Sequence, residues 1–253
     1  MSTPSKDSQV VLVTGALAGI GRATALAFAR AGAQVVISGR SEEKGRALAD
    51  EIRALGTNAE FIPADVRRED DVRRLVDGAV QRFGRLDVAV NNAGTEGKAG
   101  PITDQTPESY AAVFDTNVLG VLLSMKHELR VMTAQKSGSI VNLSSTFGRV
   151  GGPNASLYVA SKHAVEGLTK SAALEGAPFG VRVNIVAPGP IETEMLARFA
   201  GSDERKAAFA AGVPLKRLGS PEEIADAIVF VASPKASFIS GESIAVNGGK
   251  SAL

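Results

Sequence analysis

VVLVTGALAGIG, residues 10–21, joins a short apolar run directly to a glycine-rich turn. The β-branched run at residues 10–14 is typical of a strand that is buried on both faces of a sheet. Glycines at positions 15, 19 and 21 then stand where a helix, roughly residues 19–31, begins. Glycine allows a tight turn there, and the unpaired N–H groups of a helix N-terminus favour an anionic ligand.

The alternation of strand and helix continues along the chain. Further strands are predicted at residues 35–37, 59–62, 86–91, 139–143, 181–187 and 243–246, and helices at residues 42–55, 70–83, 107–132, 157–177 and 222–232. Helices of this length between strands require crossover connections. We therefore predict an α/β fold, a doubly wound Rossmann domain of about seven mainly parallel strands with helices on both faces.

No linker rich in Pro, Gly or Ser interrupts this alternation, so residues 1–253 are expected to form a single dinucleotide-binding catalytic domain. Residues 188–216 are the one long segment without clear periodicity, and we interpret them as a substrate loop or lid. Residues 1–7 are polar, and we expect a disordered tail there.

Composition excludes several classes of function. With 28 Lys+Arg against 27 Asp+Glu, the chain lacks the basic surplus that nucleic-acid binding needs. It has no Cys and only two His, so we expect neither a metal site nor thiol catalysis. No apolar run approaches the roughly 20 residues that span a bilayer, and the first residues lack a signal peptide's apolar core. We expect a cytoplasmic protein without a membrane partner.

The glycine loop alone leaves its ligand open. A Walker A loop is excluded because no Lys-Ser/Thr pair follows Gly21, but a purely structural turn or a cradle for S-adenosylmethionine would look the same. Residues at the carboxyl ends of other strands favour a dinucleotide, because ligands of open α/β sheets bind there. These residues are Asp65 and Val66 after the third strand, Asn92, Ala93 and Gly94 after the fourth, and Pro188 and Gly189 after the sixth.

Tyr158 and Lys162 lie four residues apart on a predicted helix, which places the phenol and the ammonium on one face. We expect the lysine charge to lower the phenol's pKa by about two units from its ordinary value of about 10, into a useful range for proton transfer. Ser145 at the end of the fifth strand is the expected hydroxyl donor, with Ser144 as the alternative. An isolated Tyr-x-x-x-Lys pair is more often ordinary helix packing, and the co-occurrence of these motifs reverses that interpretation.

The chain resembles a short-chain dehydrogenase/reductase from Val10 to Gly249. The resemblance rests on the glycine loop, Asn91-Asn-Ala-Gly94, Asn117, Ser145, Tyr158-x-x-x-Lys162, and Pro188-Gly189 with Thr193. It implies that Tyr158 is the general acid/base, that Ser145 orients the substrate oxygen, and that Lys162 tunes Tyr158 and holds the nicotinamide ribose.

The resemblance also implies that Asn117 supports a proton-relay water. The backbone at Ile20 and at residues 92–94 would border the cofactor, and Ile191 and Thr193 would reach the nicotinamide amide. One departure is Asn247 before Gly248-Gly249, where the family often has Asp, and we expect it to affect the subunit interface more than the chemistry.

The cofactor choice depends on residues 38–40, Ser-Gly-Arg, where an NAD enzyme would carry an acidic residue for the ribose hydroxyls. Gly39 leaves room for a 2′-phosphate, and Arg40 offers a permanently charged planar group for it. Ala18 lacks the basic side chain that many NADP users have before the second glycine. NADP(H) is therefore the preferred cofactor, with NAD(H) possible.

These interpretations predict an NAD(P)-dependent oxidoreductase that interconverts a ketone and a secondary alcohol. The substrate stays open, because the loop of residues 191–213 mixes apolar and charged side chains and admits an acyl thioester, a sugar, a steroid or a small ketone. A non-catalytic nucleotide sensor or scaffold of the same fold and a methyltransferase are the alternatives. Because enzymes of the resembled family are usually tetramers, we expect a homotetramer.

Overall fold

The computed structural model describes residues 8–252, so the tail predicted at residues 1–7 lies outside the described residues. A seven-stranded sheet has the order β3-β2-β1-β4-β5-β6-β7, and every pair of neighbouring strands is parallel. The strands are β1 Val10–Thr14, β2 Gln34–Ile37, β3 Ala59–Phe61, β4 Val88–Asn91, β5 Gly138–Leu143, β6 Val181–Pro188 and β7 Ser243–Val246. The predicted α/β class and strand number are confirmed, and the sheet is wholly parallel.

Nine α-helices connect and flank the strands within the described residues. They are α1 Gly19–Arg30, α2 Glu42–Ala54, α3 Glu69–Phe83, α4 Pro107–Phe114, α5 Gly120–Gln135, α6 Ser156–Gly176, α7 Glu194–Ala200, α8 Asp203–Ala211 and α9 Pro221–Ala232. Alternate residues of a strand point to opposite faces. Val11 and Val13 of β1 therefore pack with α1, α2 and α9, whereas Leu12 packs with α3, α5 and α6. Burial on both faces explains why the strands read as continuous apolar runs.

The long helix predicted at residues 107–132 is not continuous. A π-helical turn, Asp115–Leu119, lies between α4 and α5, and Asn117 is at its centre with no exposed surface. A π turn inserts one residue into the helical repeat without a sequence period of its own, so the apolar spacing on either side could not reveal it.

Residues 188–216, interpreted from the sequence as a substrate loop or lid, contain two short helices, α7 and α8. The side chain of Thr193 caps α7 by accepting a hydrogen bond from the Leu196 N–H, and Ser202 caps α8 in the same way. Seven and nine residues are too few to show a clear apolar stripe, although the two capping residues were visible in the sequence.

The strand order reverses at β1, which has β2 on one side and β4 on the other. The crevice beyond the carboxyl ends of these two strands is where an open α/β sheet binds its ligand. Within residues 8–252, none of the helices has both the length and the apolar character required to cross a bilayer.

Candidate active site

The glycine loop lies between the end of β1 and the start of α1, as predicted. Gly15 and Gly19 have positive φ angles of 62° and 52°, which favour glycine. A Cβ on Gly21 would lie 2.3 Å from the Gly15 carbonyl oxygen, so this third glycine is required by packing. Ala18 gives α1 no side-chain cap, so the N–H groups of the first turn remain available to an anion.

The loop after β4 packs against the glycine loop. The Asn92 side chain donates hydrogen bonds to the carbonyl oxygens of Thr14 and Gly15, at 3.1 and 2.9 Å. Thr14 Oγ1 in turn accepts from the N–H groups of Asn92 and Ala93. The two segments therefore form one rigid wall of the crevice, and Thr14 is a contributor that the sequence analysis missed.

The opposite side of the crevice is formed by the segment after β6. A Cβ on Gly19 would lie 3.2 Å from Thr193 Cγ2, so only a glycine leaves a gap between the loop and this segment. Uncapped N–H groups and a gap that a side chain would close are the features that a dinucleotide pyrophosphate requires. The residues present therefore fit a dinucleotide.

Other predicted residues of this segment have structural contacts. The Pro188 carbonyl oxygen accepts a hydrogen bond from Thr146 Oγ1, and Ile191 is buried and pairs with Gly219. Thr193 Oγ1 donates to the Ile191 carbonyl oxygen besides capping α7. Ile20, on the other wall, packs its side chain against the core.

Asn247 lies closer to this site than the sequence analysis expected. Its side chain donates to Thr146 Oγ1 and to Ser251 Oγ, and a Cβ on Gly189 would lie 2.8 Å from Asn247 Cα. The residue therefore ties the end of β7 to the turns after β5 and β6, which flank the crevice.

Asn117, Gly94 and Lys162 meet beyond the end of β4. A Cβ on Gly94 would lie 3.3 Å from Asn117 Oδ1 and 3.8 Å from Lys162 Nζ, so glycine is needed for the approach. The Asn117 amide donates to the Thr95 carbonyl oxygen at 2.8 Å and to Ser161 Oγ at 3.0 Å, and its Oδ1 accepts from the Thr95 N–H. Both amide donors are thus engaged with protein groups.

Tyr158 and Lys162 are on the same face of α6, as the spacing predicted, with Lys162 Nζ 5.6 Å from the centroid of the Tyr158 ring. Nζ donates a 2.7 Å hydrogen bond to the Leu143 carbonyl oxygen at the end of β5. The lysine is thereby fixed between the helix and the sheet.

The expected lowering of the Tyr158 pKa is wrong. Burial raises the pKa of Tyr158 to about 12, a side-chain hydrogen bond with Ser145 opposes this change, and the charge of Glu96 adds to it. Burial lowers the pKa of Lys162 to about 8, and Glu166 partly compensates. Each group loses the hydration that stabilises its charged form, so the phenol is protonated near neutral pH.

The two neighbouring serines have different surroundings. Ser145 lowers the pKa of the Tyr158 phenol, against the larger effect of burial, and it begins a short 3₁₀ turn, Thr146–Gly148, where its hydroxyl accepts from the Phe147 N–H. Ser144 is buried on the other side, against Gly148 and the Lys162 carbonyl oxygen. The structure brings Ser145 to the phenol, and both serines follow β5 rather than ending it.

The residues predicted to meet the adenosine lie after β2 and β3. Gly39 is half-buried and Arg40 is exposed. The Asp65 carboxylate accepts from Arg67 Nε at 2.9 Å, and hydrogen bonds from Arg67 lower the pKa of Asp65, with a smaller contribution from Arg40. Asp65 was expected to receive an adenine amino group, and in the structure it already has this cationic partner. Val66 is buried against Gly120 at the start of α5.

Glu96 and Ser161 are further residues that the sequence analysis missed. Ser161 links Asn117 to α6 by donating to the Tyr158 carbonyl oxygen. Glu96 forms an ion pair with Arg198, 102 residues away along the chain, and such a contact has no local sequence signal.

A family profile described as enoyl-(acyl carrier protein) reductase matches residues 15–251. The A-factor type gamma-butyrolactone 1'-reductase (1S-forming) of Streptomyces virginiae is 43% identical over 243 residues, covering 95% of each chain. Cyclohexanol dehydrogenase of Acinetobacter sp. (strain SE19) is 40% identical over 242 residues, which is 96% of this chain and 94% of the relative. A solved structure of an actinorhodin polyketide ketoreductase variant with NADPH has a TM-score of 0.94 at 35% identity, covering 99% of this chain and 100% of that one.

The similarity extends over almost the whole chain in both sequence and structure, and it includes the glycine loop and the residues gathered around Tyr158. The resemblance noted in the sequence is therefore confirmed. The chain belongs to the short-chain dehydrogenase/reductase family.

Proposed function

We propose that the protein is an NADP(H)-dependent oxidoreductase that interconverts a ketone and a secondary alcohol, with NAD(H) as a weaker alternative cofactor. The observation that carries the proposal is the convergence of Ser145, Tyr158, Lys162 and Asn117 beside a crevice that fits a dinucleotide. When bound, the nicotinamide supplies the hydride, and the residues of the chain supply orientation and the proton.

The proton step is assigned to Tyr158. A phenol that is protonated near neutral pH is ready to donate from Oη to the alkoxide that forms when a ketone is reduced. Ser145 Oγ is proposed to donate a hydrogen bond to the same substrate oxygen and so to stabilise its developing charge. Lys162 Nζ is proposed to hold the nicotinamide ribose.

Asn117 is proposed to act by positioning. Because both of its amide donors bind Thr95 and Ser161, the side chain holds the segment after β4 against α6. The relay water that the family resemblance implies would then rest on the main chain of the π turn, since π turns displace carbonyl groups from their helical partners.

The cofactor contacts are proposed as the sequence analysis gave them. The loop of Gly15, Gly19 and Gly21 receives the pyrophosphate, the backbone at Ile20 and at residues 92–94 borders the cofactor, and Asp65 with Val66 lies where the adenine amino group binds. Pro188 and Gly189 face the same crevice, and Ile191 and Thr193 reach the nicotinamide amide. Preference for NADP(H) is assigned to Gly39 and Arg40, and the NADPH of one solved relative is consistent with it.

The substrate is proposed to bind under residues 188–216, which act as a lid. Phe199 of α7 and Phe209 of α8 pack together, with ring centroids 5.8 Å apart, and Phe147 meets the Tyr158 ring edge-on at 6.3 Å. These aromatic groups favour an apolar substrate. Because one relative is named for a γ-butyrolactone and another for cyclohexanol, ketones on or beside a small ring are the first candidates.

A homotetramer is also proposed. Leu119 and Leu122 beside and on α5, and Leu174 on α6, are large apolar side chains with exposed fractions of 37%, 45% and 79%. Phe230 of α9 and Phe238 are further exposed apolar side chains. Sedimentation velocity gives the oligomeric state directly, and a monomer at all concentrations would contradict this part of the proposal.

The activity is tested by following NADPH and NADH oxidation with a panel of cyclic, acyl-thioester, steroid and sugar ketones, and the reverse reaction with the matching alcohols. The proposal predicts turnover that Tyr158→Phe abolishes. Cofactor binding without turnover on any member of the panel would favour a sensor or scaffold. Binding of S-adenosylmethionine in place of NADP(H) would favour a methyltransferase.

A further inference from the structure

A buried carboxylate on α6 lies beside the short turn that Ser145 begins. Of the acidic residues at positions 8–252, only Glu128 and Glu166 are buried, and Glu166 has an exposed fraction of 8%. Removing a carboxylate from water costs free energy unless polar partners compensate for the lost hydration. The contacts of Glu166 therefore indicate what this side chain holds in place.

Glu166 connects the 3₁₀ turn of residues 146–148 to the edge strand β7. Its Oε1 accepts a 3.0 Å hydrogen bond from Oγ of Ser243, the first residue of β7. A Cβ on Gly148, the last residue of the turn, would lie 3.0 Å from the same Oε1 and 3.2 Å from Glu166 Cγ. Because position 148 is a glycine, the turn can rest directly on the carboxylate.

Ser243 also holds the far end of the turn. Its carbonyl oxygen accepts a hydrogen bond from the guanidinium of Arg149, the residue that follows the turn. Main-chain groups lead from there back to Ser145. The Gly148 N–H donates to the Ser145 carbonyl oxygen at 2.8 Å, and the Phe147 N–H donates to Ser145 Oγ at 3.2 Å. Fastening residues 148 and 149 therefore limits the movement of the Ser145 hydroxyl.

Building on the proposed function, we propose that Glu166 is a positioning residue that acts through Ser145. It holds the turn against α6 at Gly148 and against β7 at Ser243, and so keeps the Ser145 hydroxyl aimed at the substrate oxygen. A hydroxyl in this role stabilises charge that develops in the transition state, and its effect depends on its being fixed in advance. Loss of the contact should therefore lower kcat and leave KM nearly unchanged.

The contact can be removed from either side. Glu166→Ala removes the acceptor, and Ser243→Ala removes the donor without changing α6. We expect each to lower kcat/KM about tenfold, because a displacement of about 1 Å in a reacting group can cost up to about 10²-fold. Glu166→Gln keeps an acceptor for Ser243 and should remain close to the wild type.

The charge of Glu166 offers a different explanation, because Lys162 lies one helical turn before it on α6. Burial lowers the pKa of Lys162, and the charge of Glu166 opposes this change. A role through that charge would make Glu166→Gln as impaired as Glu166→Ala and would leave Ser243→Ala fully active. Either of these results would overturn the inference.

Coupling to Ser145 distinguishes positioning from a general loss of stability. In a Ser145→Ala background the hydroxyl is absent, so Glu166→Ala and Ser243→Ala should each change kcat/KM by less than about twofold. Losses that are equal with and without the Ser145 hydroxyl would show that the contact does not act through it.

Thr169→Val is the matched control. Thr169 is also a buried polar residue of α6, and its hydroxyl accepts a 2.9 Å hydrogen bond from Asn142 of β5 and donates to the Val165 carbonyl oxygen rather than to the turn. The change leaves a buried donor without its acceptor and should lower the free energy of unfolding. It should not change kcat/KM, and urea unfolding of every variant places the two effects side by side.

Hydrogen exchange supplies a readout that needs no substrate. The amides of Phe147 and Gly148 are bonded to Ser145, so they report directly on the turn. Both should exchange faster in Glu166→Ala and in Ser243→Ala than in the wild type. They should be unchanged in Glu166→Gln and in Thr169→Val.

The outcomes separate this inference from the proposed function. Unchanged exchange at residues 147 and 148 in the two alanine variants would overturn the inference even if the wild-type protein reduces ketones. Faster exchange there, with no change in the two controls, would support it even if every ketone tested fails, and in that case only the proposed reaction would be wrong.

Discussion

Gly39→Asp should convert the protein from a preference for NADPH to a preference for NADH. Gly39 follows β2 and precedes Arg40, the exposed cation to which we assign the 2′-phosphate. A carboxylate at position 39 would repel that phosphate and would accept hydrogen bonds from the ribose hydroxyls of NAD. The change leaves Tyr158 and Lys162 untouched, so kcat with the better cofactor should remain measurable.

The magnitude follows from the charges near Arg40. Asp65 is the nearby carboxylate, and Arg67 already neutralises it, so Arg40 provides the unbalanced positive charge. One charge-assisted contact contributes roughly 1.5–3 kcal/mol, which gives the wild type a preference of about 10- to 150-fold. In a water-exposed part of the crevice, a carboxylate at position 39 that lies about 4 Å from the doubly charged 2′-phosphate of NADPH adds roughly 2 kcal/mol of repulsion. Together with the hydrogen bonds gained by NADH, this repulsion should lower the ratio of kcat/KM for NADPH to kcat/KM for NADH by about 10²-fold.

A steric effect must be separated from this electrostatic one. A Cβ on Gly39 would lie 2.6 Å from Leu17 Cδ1, so any side chain at this position displaces Leu17. Gly39→Ala introduces the same displacement without charge and is the matched control. The loss of kcat/KM common to alanine and aspartate is steric, and the difference between them is electrostatic.

The assay measures kcat/KM for NADPH and NADH at fixed ionic strength in the wild type, in both Gly39 variants and in Arg40→Gln. The Arg40 variant should lose most of the NADPH preference and little activity with NADH. The wild-type preference should weaken with added salt, because Arg40 is exposed and its charge is screened over about 8–10 Å. Equal or better kcat/KM with NADH in the wild type would refute the NADP assignment.

Three further changes test the site and its support. Tyr158→Phe should lower kcat by the 10²–10⁴-fold typical of general acid/base catalysis, while cofactor affinity in a fluorescence titration stays unchanged; retention of more than about a tenth of wild-type kcat would contradict the assigned role. Ser145→Ala should reduce kcat/KM more than Ser144→Ala under identical conditions, and the reverse order would move the hydroxyl role to Ser144. Burial raises the pKa of Glu128 to about 7 from 4.5, so the native state holds this proton more tightly and stability falls as the pH rises through that range. Glu128→Gln keeps an acceptor for Asn91, and its free energy of unfolding should rise relative to that of the wild type by about 3 kcal/mol between about pH 4.5 and pH 7. Urea unfolding at several pH values measures this difference. A difference that stays constant over the range would show that Glu128 is not protonated in the native state.

Much of the fold could be predicted because the five central strands, β1, β2, β4, β5 and β6, are buried on both faces. The predicted and observed ends of β1 and β7 are identical, and the other predicted strands differ from the observed ones by at most two residues at either end. Gly84 with its positive φ ends α3 at the predicted residue, because a left-handed residue stops a helix. Local chemistry of this kind is visible in a short window of sequence.

The errors arose where the determining interaction is not local. The π turn around Asn117 depends on Thr95 and on Ser161 of α6, which lie 22 and 44 residues away. The pKa of Tyr158 depends on how deeply the packed chain covers it, and spacing along one helix gives no measure of that depth. The spacing correctly predicted the neighbours of Tyr158 but predicted the wrong direction for its pKa, because burial is the largest effect on that phenol.

The contrast between features set by local sequence and features set by distant contacts also explains why the sequence indicated a reaction type but left the substrate open. The groups around Tyr158 are attached to the sheet by short buried contacts, such as the bond from Lys162 to the Leu143 carbonyl oxygen. Such contacts need particular residue types at particular spacings, so they leave a recognisable pattern. The proposed lid is attached through Thr193 and through the pair of Glu96 and Arg198, and its aromatic side chains lie on two short helices. Exchanging residues of the lid would change the shape offered to a substrate without disturbing Lys162 or Ser145. A chain of this design can keep its proton-transfer chemistry while its substrate changes, and substrate choice should therefore respond to substitutions in α7 and α8 far more than to substitutions in β4, β5 or α6.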